Sequence, residues 1–97
     1  MKAIFISFNQ AHYEDILRIM EHNHISGFTC WENVIGRGSN TGEPHYGNHT
    51  WSMINSSILT FVEDSAAEKF LEHLHKLDKE FEAQGLRAFY WDIGGTI

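Results

Sequence analysis

Two segments of this chain repeat their apolar residues at helical spacing, and strand-like runs stand before, between and after them. In 97 residues that order leaves few folds. The first helical segment is Ala11 to Asn23, where Ile16, Leu17, Ile19 and Met20 make one broad apolar face and Glu14, Asp15, Arg18 and Glu21 face water. Asn9 is a cap for this segment, and Asn23 is the stop, with His22 and His24 favourable to the dipole at that end. The second begins at Ser65-Ala-Ala-Glu68, a capping-box pattern, and carries Ala67, Phe70, Leu71, Leu74, Leu77 and Phe81 before Gly85 closes it. Glu72 and Lys76 are spaced as an i,i+4 pair on its outer face, and His73 and His75 point to different sides as surface residues.

The strand runs are Lys2 to Phe8, Ile25 to Ile35, Trp51 to Val62 and Leu86 to Ile93, rich in aromatic and β-branched residues. Gly27 inside the second implies a bulge or a close backbone approach. The order is β-α-β-β-α-β, which right-handed crossovers turn into a ferredoxin-like α+β sandwich: a four-stranded antiparallel sheet with both helices on one face. Size and pattern give one domain over residues 1–97, with Gly94 to Ile97 a short tail. Two helices cover one face of the sheet. Yet Ile4/Phe5, Ile58/Leu59, Phe61/Val62 and Tyr90/Trp91 put bulk on both, so the open face is expected to pack against sister subunits.

The second and third strands are joined by Gly36 to Thr50, far longer than a tight hairpin needs, and expected to be a mobile functional segment. It holds four glycines, the only proline (Pro44), and Arg37, Glu43, His45, Tyr46 and His49, side chains suited to contact a ligand or partner. Trp31 and Trp51 flank its base and are expected to meet across the strands. Neutral imidazole beside carboxylate suits a divalent transition metal, so His45 and His49, with Glu43 and Tyr46 nearby, are the candidate metal ligands. No HExxH or CxxC pattern accompanies them.

Composition narrows the function classes. The formal charge is −6 and the seven Lys and Arg are scattered, which excludes the clustered basic surface of a nucleic-acid binder. Cys30 is single, within an apolar run, and reads as a small buried hydrophobe. No secretory leader or membrane-spanning run is seen, so a soluble cytoplasmic protein is expected.

Ile25-Ser-Gly-Phe-Thr29, then Gly36-Arg-Gly38 at a strand end, then Tyr46-Gly47 in a long loop, resemble the PII signalling superfamily over Lys2 to Ile93. The resemblance implies a non-enzymatic regulatory homotrimer with its sheets turned inward. It implies inter-subunit clefts for a small effector, commonly an adenine nucleotide, and a mobile T-loop that docks on membrane transporters or enzymes. Carried onto this chain, the ligand-binding candidates are Gly27, Thr29, Gly36, Arg37 and Gly38, with Arg87 added as a cation that, with Arg37, would supply positive charge from a different subunit. The partner-binding loop would use Glu43, His45, Tyr46 and His49. The chain departs from the family where Gln84-Gly85-Leu86 replaces a Gly- and Lys-rich loop and where Ser39-Asn40-Thr41 lacks a lysine. It is therefore more similar to degenerate PII-like proteins that accompany transporters, heavy-metal efflux systems included. Two alternatives stand beside this reading: a metal-handling trimer resembling the divalent-cation-tolerance family, and a small ferredoxin-like dimeric enzyme, a monooxygenase or isomerase.

Overall fold

A computed structural model of the chain describes residues 1–35, 55–81 and 85–97. Among the described residues, four strands and two α-helices follow in the expected order: β1 (Lys2–Asn9), α1 (Tyr13–His22), β2 (Thr29–Val34), β3 (Asn55–Val62), α2 (Asp64–Glu80) and β4 (Arg87–Asp92). The strands form one antiparallel sheet in the order β2-β3-β1-β4. This is the ferredoxin-like arrangement, with β1 and β3 central and β2 and β4 at the two edges.

Alternation along the strands sorts the sheet into two faces. Ile4, Ile6 and Phe8 of β1 pair in register with Thr60, Ile58 and Ser56 of β3. They lie beneath the helices and are buried together with Ile16 and Met20 of α1 and Ala67, Phe70, Leu74 and Leu77 of α2. The intervening positions line the opposite face. Phe5 stands between Leu59 and Phe89, and Ala3 between Phe61 and Trp91. Phe61, Phe89, Trp91 and Trp31 are each about half exposed, at 52%, 59%, 49% and 46%. The bulk foreseen on both faces is therefore present, and among the described residues no layer lies over one of those faces.

The element ends differ from the expected ones for local reasons. Asn9 caps as anticipated, its Oδ1 accepting from the Ala11 amide at 2.8 Å, but it opens a 3₁₀ turn over Gln10–His12 before α1 begins. At the other end, the amides of His24 and Ile25 donate to the carbonyls of Glu21 (3.0 Å) and Met20 (2.9 Å). That is a Schellman closure, and it puts His24 in the left-handed region at φ 60°. A side chain there carries a steric penalty that glycine avoids. His24→Gly is expected to raise stability by about 0.5–1 kcal/mol in urea denaturation.

The second strand starts at Thr29 rather than Ile25, because Ile25 is used by this closure. Gly27 is no bulge; a Cβ there would meet nothing within 4 Å. The irregularity lies instead between Trp31 and Val34, where the register shifts and Asn33 takes φ 57°. Helix α2 begins at Asp64 with Glu63 in the capping position and no side-chain cap, so Ser65 and Glu68 sit inside the helix and form no capping box. The cause is β3, whose last paired residue, Val62, leaves one residue for the turn. The helix ends at Glu80, so Gly85 does not close it; with φ 68° it turns the chain into β4. No ion pair joins Glu72 to Lys76 among the described residues. Among the described residues no helix is long and apolar enough to cross a membrane.

Candidate functional site

The candidate ligand residues that the structure describes are Gly27, Thr29 and Arg87. Gly27 lies in the connector between α1 and β2, where its carbonyl accepts a 2.6 Å hydrogen bond from the Thr60 hydroxyl. Thr60 is fully buried under the helices, so this bond ties the entry of β2 to the central strand. Thr29 opens β2 on the uncovered face, paired with Leu59. Arg87 opens β4 on the same face, paired with Ser7.

The two therefore occupy opposite edges of the sheet. Three strand spacings separate them, about 14 Å. At that separation the two residues do not meet within one chain. Gly36, Arg37, Gly38, Glu43, His45, Tyr46 and His49 lie outside the described residues, as does the whole expected loop over 36–50. Among the described residues no group of three His, Cys, Asp or Glu is placed to hold a metal ion. Trp31 pairs in register with Ser57, while Trp51 lies outside the described residues.

The electrostatics of the described surface are simple. Lys2 Nζ donates to Asp92 Oδ1 at 2.6 Å, joining β1 to β4. That hydrogen bond holds the Asp92 carboxyl below the ordinary value and the Lys2 ammonium above it. Asp92's contribution is present at neutral pH and fades as pH falls through its lowered folded value; Lys2's fades only as pH rises through its raised one. Both groups are solvent-screened, so the effect is small. Burial, with Glu32 as a lesser cause, pushes the Cys30 thiol up. The thiol packs against the core from the helix side of β2, which fits the small-hydrophobe reading.

One set of contacts was not visible in the sequence. His73 is not a free surface residue: the Asn23 amide donates to its Nδ1 at 3.0 Å and to the Ile19 carbonyl at 2.8 Å. His22 lies against the same ring, with centroids 5.5 Å apart. Further along, His12 is buried against Phe81 at 4.9 Å and bonds Asp15 through Nδ1 at 3.3 Å. The partners that join the two helices stand fifty or more residues apart in sequence, and no local motif announces them.

The family model for nitrogen regulatory protein P-II matches residues 1–93. No match was found among curated proteins. Among solved structures, the chain is similar to CPII, a nitrogen regulatory PII-like protein from Thiomonas intermedia K12, bound to ADP, AMP and bicarbonate. The TM-score is 0.77 at 22% identity, over 95% of this chain and 84% of that one. It is similar to CPII from the same organism bound to ADP and bicarbonate, with a TM-score of 0.74 at 25% identity and the same coverage. A PII-like signaling protein from Thermus thermophilus gives a TM-score of 0.66 at 16% identity, covering 95% and 85% of the two chains. With a β2-β3-β1-β4 sheet under two helices, and a family match over nearly its whole length, this chain belongs to the nitrogen regulatory protein P-II family.

Proposed function

We propose that this protein is a regulatory homotrimer that binds an adenine nucleotide between subunits and signals its occupancy to a partner through the segment 36–50. The observation that carries this reading is the uncovered sheet face. Phe61, Phe89, Trp91 and Trp31, each about half exposed, stand on it, and a contiguous apolar patch of this kind marks an interaction surface. Packing three such faces together buries it. Assembly also brings the β2 edge of one subunit towards the β4 edge of the next, the condition for Thr29 and Arg87 to share a ligand. The two CPII structures to which the chain is similar both hold ADP and bicarbonate, with AMP as well in one of them.

The donors available set the expected preference. Gln84-Gly85-Leu86 supplies no lysine, so few cations surround a third phosphate. Gly27, Thr29 and Arg87, with Gly36, Arg37 and Gly38 of the neighbouring segment, suit a mono- or diphosphate better. The role is regulatory rather than enzymatic: a ligand biases the segment only through its differential affinity for that segment's states. The partner class expected is a membrane transporter or efflux component, as the family resemblance implies.

Isothermal titration of the full chain with AMP, ADP and ATP tests the reading. Binding of AMP or ADP more tightly than ATP is expected. Arg87→Ala should weaken ADP by roughly 10-fold or more, the loss of one charge-assisted hydrogen bond to phosphate. No heat with any adenine nucleotide overturns the nucleotide assignment; unchanged affinity in Arg87→Ala removes that residue from the site.

A further inference from the structure

The outer surface of the helical layer carries a groove that the nucleotide reading does not use. It lies between α1 and α2, on the opposite side of the sheet from Thr29 and Arg87, and has a cavity volume of about 380 Å³. That is within the size range of small-molecule sites. Ile19 and Leu77 line it as the apolar part, and Asp15, Arg18, His22, His73, Lys76 and Glu80 supply the polar part.

The helices run antiparallel, as the contacts His22 with His73 and His12 with Phe81 require. A rise of about 1.5 Å per residue then sets Arg18 level with Lys76 and Asp15 level with Glu80. Like therefore faces like across the groove: two carboxylates at one end, two cations in the middle, two imidazoles at the other end. No cross-groove ion pair forms among the described residues. Arg18 instead bonds Asp15 on its own helix at 3.1 Å. The His level is also prepared. Asn23 spends both amide hydrogens, one on Ile19 O and one on His73 Nδ1. With Nδ1 accepting, the hydrogen of the neutral ring stands on Nε2, which leaves a fixed donor at that end.

We propose that this groove binds a small zwitterion of the basic amino-acid or ω-amino-acid type. Its cation takes the place of Arg18 on Oδ1 of Asp15, whose other oxygen stays with His12, and lies between Asp15 and Glu80. The released Arg18, Lys76 and the His73 Nε2–H take its carboxylate, and its methylenes lie on Ile19 and Leu77. The levels fix the distance between the two charges. Counting from the acidic end, the cationic and imidazole levels are three and seven residues along α1, so the charges stand between about 5 and 10 Å apart. An α-amino acid with an apolar side chain is too short for this; lysine, arginine and ε-aminocaproate span it.

The test is a titration of the full chain, followed by amide chemical shifts, with ε-aminocaproate and its two halves, caproate and hexylamine. Binding of the zwitterion about tenfold tighter than either half is expected, since each half lacks the exposed pairs at one end. Shifts should cluster at residues 15–22 and 73–80. Arg18→Glu with Lys76→Glu, both at the surface, should abolish binding of ε-aminocaproate and leave ADP binding unchanged. Arg18→Lys should retain it. Equal binding of all three compounds, shifts outside the groove, or no shifts at about 10 mM ligand overturn the proposal. Because nucleotide titration reads the other face, failure here leaves the nucleotide assignment standing, and the reverse holds.

Discussion

Phe61→Glu combined with Trp91→Glu is expected to give a folded monomer in place of the proposed trimer. Both side chains lie in one register row, on either side of Ala3, in the middle strands and edge of the uncovered face. Each is about half exposed in the isolated chain, so the substitutions remove little from the single-chain core. In an inward-facing trimer, three copies of two carboxylates would meet in an apolar interior. Burying an unpaired carboxylate costs several kcal/mol, far more than the aromatic contacts it replaces would have contributed. The net charge of −6 per chain adds like-charge repulsion. Light scattering should give three times the 11.2 kDa chain mass for the natural protein and one times for the variant, with the far-ultraviolet circular dichroism unchanged. A natural protein that runs as a single chain would end the inward-sheet reading, as would a trimeric variant.

The same face shows why part of this fold could be read in advance. Adjacent bulky residues, such as Ile58 beside Leu59 and Tyr90 beside Trp91, fill both faces of a strand. Helix α2 was legible because Phe70, Leu74 and Leu77 repeat at 3.6-residue spacing over successive turns. Boundaries were less so, because they depend on distant partners. Ser65-Ala-Ala-Glu68 has the form of a capping box, but the pairing of Val62 with Lys2 on β1 starts the helix earlier. Likewise, nothing about a histidine announces a left-handed residue. His24 takes that conformation because the Schellman bonds to Met20 and Glu21 hold it there.

The candidate residues were chosen by type, and their placement was not legible. Thr29 could be named from the family resemblance and Arg87 as a cation for phosphate, but strand order in space is a non-local property. Only the sheet sequence β2-β3-β1-β4 puts them on opposite edges. The groove between the helices was invisible for the same reason: Asn23 and His73 are fifty residues apart. His73 and His75 looked equivalent in sequence, and the Asn23 amide distinguishes them.

Phe70→Ala should have the opposite signature to the surface double variant. Phe70 is fully buried on α2 and belongs to the core that includes Ile4, Ile6, Phe8 and Ile58. Truncating it removes the ring's transfer free energy and leaves a cavity between helix and sheet, a loss of about 3–5 kcal/mol. Against a total of roughly 5–15 kcal/mol for a small domain, that is a large fraction. In a chain of this size it lowers the melting temperature by roughly 12–40 °C. Assembly should modify how the loss appears. If folding and trimer formation are linked, raising the protein concentration raises the melting temperature of both the natural chain and Phe70→Ala. The Phe61→Glu, Trp91→Glu chain should show no such dependence, because it has nothing to associate with. Calorimetry at two protein concentrations therefore separates the two layers of stability: the helix-covered face that makes the subunit, and the open face proposed to join it to its copies. A Phe70→Ala loss below about 1 kcal/mol would mean that α2 is not seated on β1 and β3 as described.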